Sequence, residues 1–594
     1  MKTIFRWVFV LSIVAFGIRV PAQAVAQQEH MAQKETKSAF AREMMESMEK
    51  MDKDMVAEPM TGDPNHDFTT MMIPHHQGAI DMAKSYLLYG KDPVLRRLAQ
   101  EIIVTQQQEI EVMRLRQAAL QKASVAGAAL PGQPEATAAI PGSGKDRVYT
   151  ADQTSNTVSV IDPASNKLLG VIRLGDPVPG ALSPLYRGQL LVHGLGFSPD
   201  HKTLAVVSIA SNSVTFIDTA TNKIKGVVYI GRSPHEAFFT PDGKQLWAVV
   251  RGEDYVSVID PVKMQEIRRV KTANGPGMVL FSPDGRYAFV PSSFTPELDV
   301  VDTRSYKVIA RVPQASPFSP NLAVSRDGTE VWFTLKDSGK TQVMSAKPPF
   351  RILATLDTGP ITNHVTLVDN AKGRFAYVTV GGENVVKVYT RGEKPELVAT
   401  IPTGDLPHGI WGSGDGTRVY LGLENQDAVA AIDTLTNKVI ATIPVGQQPQ
   451  ALVYVTGAVP VGDGTSNLMP LGQAGKAAHL NLTAPEGSGS QAQATVSVNT
   501  LGPVDLLQIA VTGLKPGHMY RLWLVNSRTA PYGQKEELAI FKTNLAGAQI
   551  AQAIGAFRQV LTSGSEGAGE EAKQRFLLIT PADSEVAELI QKTP

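Results

Sequence analysis

Hydrophobic and polar positions change rhythm twice along this chain of 594 residues. Residues 37–120 follow a helical period. In SAFAREMMESMEKMDKDM (38–55), Met44, Met48, Met51 and Met55 recur at spacings of 4, 3 and 4, which lines them along one helical face. A second helix is predicted over 67–89. A third is predicted over about 93–120, with Asp92 as N-cap and Pro93 at the first helical position. Residues 121–146 are an Ala/Pro/Gly linker with almost no large apolar side chain. From 147 to 455 the pattern becomes short alternating runs punctuated by turn residues. A second linker, 456–475, precedes a β-patterned segment over 476–594 that reads as a small antiparallel sandwich.

The middle segment repeats. A turn signal recurs as FSPD (197–200), FTPDG (239–243), FSPDG (281–285), SRDG (325–328), NAKG (370–373) and GSGDG (412–416), at spacings of 42, 42, 43, 45 and 43 residues. An Ile-Asp or Val-Asp pair tracks it at Asp162, Asp218, Asp260, Asp302 and Asp433. Each unit holds about four alternating runs, and one small sheet cannot bury both faces until neighbours stack around an axis, so the period predicts a β-propeller. The count closes at seven blades. Residues 147–174 supply three strands without an innermost one, and the orphan run QQPQALVYV (447–455) is the strand that completes them. Text such as RVYLGLENQDAVAAIDTLTNKVIATIPVGQQPQALVYV (418–455) resembles the YVTN-type β-propeller repeat family. That resemblance implies the fold and leaves the function open, since such propellers serve surface-layer, binding and redox-associated proteins.

Composition narrows the chemistry. Hydrophobic residues at 43% and charged residues at 19% are globular proportions. Lys+Arg and Asp+Glu are 56 each, so no global basic field recruits nucleic acid. Cysteine is absent, which removes thiol nucleophiles, disulfides, iron–sulfur ligation, Cys-based metal sites and attachment of c-type haem. Residues 1–26 read as a signal peptide: Lys2 and Arg6 precede the apolar run 7–18, and small-residue cleavage sites follow up to Ala26. The apolar run is too short to span a bilayer and no later stretch is long enough. The expectation is a periplasmic or extracellular protein without a transmembrane segment after cleavage.

Seventeen methionines are the only sulfur, and ten of them lie between Met44 and Met113. In the second predicted helix Met71 and His75, and Met72 and His76, are i,i+4 pairs, and Met82 follows His75 by seven, so thioethers and imidazoles share faces. Thioethers select Cu(I) and imidazole suits copper broadly. Pro74 is expected to kink the helix at the His pair. Two readings compete: the imidazoles bind metal, or they cap carbonyls freed at the kink. The methionine stripe likewise reads either as ligands or as core packing. The residues DF…MMIPHHQGAIDMA (67–83) and LAQEII…QQQEIEVM (98–113) resemble domain-of-unknown-function family 305, a small helical, ferritin-like group of exported bacterial proteins. The resemblance implies copper binding, with His75, His76, Met71, Met72 and Met82 as ligands and Asp67, Glu109 and Met113 as further candidates. Three helices leave a four-helix core incomplete, so a homodimer through this domain or docking of the Met-bearing helix is expected.

A second candidate lies in the propeller. Seven or eight residues before the blade turns stand His193, His235, His364 and His408, with Gln450 on the closing strand, so five consecutive blades bring polar groups to one rim of the channel. They read either as a metal or cofactor site or as hydrogen bonds between blades. No nucleophilic triad or carboxylate pair can be singled out, and the repeated blade aspartates read as turn formers. The sequence therefore points to an exported copper-binding protein whose propeller serves as a platform for an envelope protein partner. The alternatives are a periplasmic redox enzyme working at the histidine rim and a structural envelope-interaction protein.

Overall fold

The computed structural model describes residues 39–57, 60, 64–92, scattered positions from 95 to 114, 143–175, 190–472, 477–500, 504–557, 561 and 574–592. The predicted signal peptide and most of the first linker lie outside the described residues, as does Glu109. Two compact units are present: residues 1–132 with 180–186, and residues 133–179 with 187–594.

In the first unit α1 spans Ala39–Met55 and α2 spans Pro64–Tyr89. The second helix starts three residues earlier than the predicted Asp67, because Pro64 fits the first turn, where an amide is not needed. Pro74 lies inside it. Beyond it, the Leu95 amide donates to Asp92 Oδ1 at 3.0 Å, the predicted N-cap bond, and the described positions up to Arg114 are helical. The two helices run antiparallel. Phe40 packs edge-on against Tyr86 and Tyr89 with centroids 6.3 and 6.0 Å apart, and Tyr89 Oη donates to Glu43 Oε1 at 2.7 Å. Nearer the middle, Met51 lies against Gly78.

The second unit contains seven four-stranded antiparallel blades and a further β domain. Blades 1 to 6 each take four consecutive strands, the first of blade 1 being Val192–Phe197 and the last of blade 6 Lys438–Pro444. Blade 7 combines Pro449–Val455 with Arg147–Asp152, Thr157–Asp162 and Lys167–Arg173, so the two ends of the repeat are joined as the orphan run predicts. Inner strands are buried over nearly their whole length, as in YVSVID (Tyr255–Asp260), where only the terminal Asp260 is half-buried, because neighbouring blades cover both faces. Outer strands alternate, as in KVIARVP (Lys307–Pro313), because one face meets water. The blade aspartates form turns: Asp218, Asp260, Asp302 and Asp433 each accept backbone amides two or three residues on.

The seam of the ring is clamped. Tyr454 Oη donates to Asp146 Oδ2 at 2.6 Å and the Gly457 amide to Asp146 Oδ1 at 2.8 Å. The Arg147 guanidinium reaches the carbonyls of Gly144 and Asp463.

The C-terminal domain is one eight-stranded sheet rather than two stacked sheets, with two strands, Gln549–Gly555 and Leu589–Gln591, beyond the six runs legible in the sequence. Its edge strands Lys535–Lys542 and Gln549–Gly555 are joined by the short turn 543–548. Edges tied so closely force the sheet to curl, giving a barrel-like shape around Leu507, Ile509, Leu522 and Ile579. It docks on the propeller. Gln508 Nε2 donates to Glu424 Oε1 at 2.6 Å, Asn425 Nδ2 to the Thr495 carbonyl at 3.1 Å, and His479 Nε2 lies 3.2 Å from Asp427 Oδ2. His479 is thus part of this contact.

Candidate functional site

The helical unit gathers its donors through helix register. On α2, Met71, His75, Gly78 and Met82 are spaced 4, 3 and 4, the same stripe geometry that Met44, Met48, Met51 and Met55 have on α1. The two stripes meet at Met51 and Gly78, where a Cβ on residue 78 would stand 2.6 Å from the Met51 Cβ. Antiparallel packing then sets Met44 level with Met82 and Met55 level with Met71 and His75, each within about one 5.4 Å turn.

Met44, Met51, Met55, Met71, Met72 and Met82 are half-buried, whereas Met48 and His75 are exposed. The His75 and His76 rings lie 5.8 Å apart. His76 Nδ1 lies 2.9 Å from the Met72 carbonyl, the carbonyl-capping role that competes with ligation at that nitrogen. Asp67 is buried with its Oδ1 3.3 Å from His66 Nδ1, and Met113 is half-buried. Thioethers and an imidazole on facing helix stripes are a soft donor set, which fits Cu(I).

The propeller brings His193, His235, His364 and His408 together. Each stands where the inner-strand ladder slips: the register shifts between Val192 and Gly194, Pro234 and Ala237, Thr362 and Val365, and Pro407 and Ile410. These are β-bulges, which take residues out of the pleat and re-aim their side chains. His193 Nε2 and His235 Nε2 face each other at 2.8 Å, and the His364 and His408 ring centroids are 4.7 Å apart. His193 and His408 centroids, 6.2 Å apart, connect the two pairs. Outer nitrogens are anchored: His193 Nδ1 to Gln153 Oε1 at 2.8 Å, His235 Nδ1 to the Gly277 carbonyl at 2.6 Å, and His408 Nδ1 to the Gln450 carbonyl at 3.3 Å. His364 Nε2 is buried without a hydrogen-bond partner.

Burial pushes all four imidazoles well below the usual histidine range, and nearby positive charge from Arg251 or Lys336 adds to it, so the cluster is neutral at pH 7.

Sequence reasoning missed Glu236. After the channel histidine, blades 1 and 6 place Gly194 and Gly409, whose missing side chains leave room for the next blade's carbonyl. Blade 2 places a glutamate there instead, and that departure from the repeat was the available signal. Glu236 is 1% exposed; its Oε2 accepts the Leu195 amide at 3.2 Å, and its Oε1 is buried without a partner. His193, His235 and Glu236 each offer a ligand atom within 4.8 Å of the others, the one such trio among the described residues. A cavity of about 160 Å³ reaches Glu236, and is lined also by Phe238, Met278, Asn321, His364 and Trp411 among others.

Known proteins match the chain in pieces. Residues 20–116 match the family model described as "Domain of unknown function (DUF305)". Residues 226–458 match the model described as "YNCE-like beta-propeller". No curated protein matches. Among solved structures, the hydrazine synthase of Kuenenia stuttgartiensis is 22% identical over 44% of this chain and 89% of its own, with a TM-score of 0.40. The periplasmic gluconolactonase of Pseudomonas aeruginosa is 20% identical over 52% and 99%, with a TM-score of 0.43. A functionally unknown protein from Desulfotomaculum acetoxidans is 12% identical over 52% and 99%, with a TM-score of 0.46. No helix among the described residues is long and apolar enough to cross a membrane.

Proposed function

We propose that this chain is an exported copper-binding protein that captures Cu(I) on its helical unit, with the propeller as a platform for an envelope protein partner. The observation that supports this most is the meeting of the two stripes at Met51 and Gly78, which sets the thioethers of α1 opposite Met71, His75 and Met82 of α2. A plain two-helix core would be served by Leu or Ile, and α1 contains neither. The match of residues 20–116 to the DUF305 model bears out the family resemblance from which the copper reading is drawn.

The test is a competitive titration of the full chain with Cu(I) and Zn(II). Met71→Leu together with Met72→Leu is expected to weaken Cu(I) by at least tenfold and to leave Zn(II) nearly unchanged, because a thioether contributes to the soft ion only. Equal losses for both ions would remove thioether ligation, and no Cu(I) binding in the unaltered chain would remove the function.

A further inference from the structure

Two neutral imidazoles whose outer nitrogens are both N–H donors cannot also hydrogen-bond to each other through their inner nitrogens. The Gly277 carbonyl can only accept, so His235 Nδ1 carries the hydrogen and His235 Nε2 presents a lone pair. His193 Nδ1 faces Gln153 Oε1, also an acceptor, which leaves His193 Nε2 as a second lone pair. The two lone pairs point at each other across 2.8 Å. Beside them is the Glu236 carboxyl, whose Oε1 is buried without a partner; burial holds it well above the usual carboxylate range, so it keeps its proton until a cation displaces it. Two imidazole lone pairs and an ionisable carboxyl, with ligand atoms within 4.8 Å of one another in a buried space, define a position for a cation.

We propose that His193 Nε2, His235 Nε2 and the Glu236 carboxylate bind one divalent first-row transition ion between blades 1 and 2. Two nitrogens at about 2.0–2.1 Å from a tetrahedral ion lie roughly 3.3–3.4 Å apart, so the pair has to open by about half an ångström to admit one. The surroundings resemble those of a prepared metal site. Each imidazole is oriented by a hydrogen bond from its outer nitrogen, which fixes tautomer and ring direction, and the carboxylate is held by the Leu195 amide. The cavity that reaches Glu236 supplies the entry path and room for a water as fourth ligand.

The donor set also decides which ion. Two imidazoles and a carboxylate are borderline-to-hard donors, suited to Zn(II), Co(II), Fe(II) or Cu(II) and poor for Cu(I). The neighbouring thioether is engaged elsewhere, since Met278 Sδ accepts from Asn321 Nδ2 at 3.0 Å and from the Leu322 amide at 3.3 Å. This site is thus chemically distinct from the helical one and stands whether or not that one binds copper.

The experiment uses the full chain stripped of metal, in two forms: unaltered, and with Met71→Leu, Met72→Leu, His75→Ala and His76→Ala to silence the helical donors. Each is titrated with Co(II), then with Zn(II). Expected is one equivalent of Co(II) giving visible ligand-field absorption in both forms, displaced by Zn(II), together with a raised melting temperature. His235→Gln, and independently Glu236→Gln, should weaken Co(II) at least tenfold. Glu236→Gln keeps the size of the side chain and an acceptor for the Leu195 amide, so its fold is retained and its loss reads ligation. Two results would overturn the proposal. One is a folded chain with no Co(II) absorption and no melting shift, as expected if Gln153 turns its amide to donate to His193 and the two rings share a plain hydrogen bond. The other is absorption that survives both propeller variants but vanishes in the helical variant.

Discussion

Residue 78 of α2 is a glycine where Met51 of α1 takes the space: a Cβ there would lie 2.6 Å from the Met51 Cβ and 2.7 Å from its Sδ. The contact holds the two donor stripes together. Gly78→Ala sets two effects against each other. Alanine gains about 1 kcal/mol in helix propensity, while overpacking of this kind typically loses about 1–3 kcal/mol. The clash includes the Met51 Cβ, which cannot swing aside, so the substitution is expected to destabilise the helical unit by about 1 kcal/mol net and to weaken Cu(I). Adding Met51→Ala removes the Cγ and Sδ contacts but keeps the Cβ, so it should restore only part of the stability and none of the copper affinity. Thermal melts with parallel Cu(I) titrations read both, and a fully stable Gly78→Ala would show that the helices do not meet here.

The channel histidines make the metal-free propeller acid-labile. Their folded-state pKa values lie below the unfolded value of about 6.5, so below that pH the unfolded chain takes up protons that the folded one refuses. Stability is full above pH 6.5 and falls as pH drops, by about 1.4 kcal/mol per pH unit for each imidazole. His408→Gln should reduce the slope by about that amount. Denaturant midpoints between pH 7 and 5 check this, and a flat profile would contradict it.

Asp152 acts in the opposite direction. Burial pushes its carboxyl up to about 8, although Thr157 and Ser159 donate to Oδ2 at 2.9 and 2.7 Å, and Oδ1 has no partner. The folded chain therefore holds a proton that the unfolded chain has lost, and this contribution to stability declines as pH rises from about 4 to about 8. Asp152→Asn is expected to stabilise the protein at pH 8 by about 2 kcal/mol and to have little effect near pH 4. Glu236, which burial also holds well above its usual value, acts in the same direction as Asp152, so below pH 6.5 these carboxyls oppose the loss at the four imidazoles.

The contact between the propeller and the C-terminal domain rests largely on buried polar pairs. Asn425→Ala removes buried bonds to the Thr495 carbonyl and hydroxyl across the contact, and losing such hydrogen bonds is expected to destabilise it by about 1 kcal/mol. The expected sign is a split unfolding transition in calorimetry, with the C-terminal sheet melting first. One unchanged transition would mean that the apolar contact of Ile361 and Leu406 with Ala510 and Ala548 suffices.

The repeat spacing made the seven blades and the shared closing strand readable, since each turn signal marks the same place in the same unit. It also put His193, His235, His364 and His408 at one rim. The bulges could not be read, because a bulge changes only which residue opposes which across the ladder, and that pairing is a property of two strands. Glu236 was hidden for a related reason: it matters as an exception to the glycines of blades 1 and 6. In the C-terminal domain, alternation revealed strands, but sheet closure depends on the tie between Lys535–Lys542 and Gln549–Gly555, which alternation does not record. The pairing of the helical stripes likewise needed the register that Phe40, Met51 and their partners supply.

Joining the ring with strands from both ends has a mechanical side. Arg147 and Val455 are paired neighbours at one end of an antiparallel ladder, so the chain enters and leaves the ring at a single fork. Tension between the flanking segments would load the rungs one at a time, in the manner of a zipper, rather than shearing them together. Asp146, clasped by Tyr454 and Gly457 just ahead of the first rung, sits where that peeling would begin. The seam is thus the point from which force would open the ring.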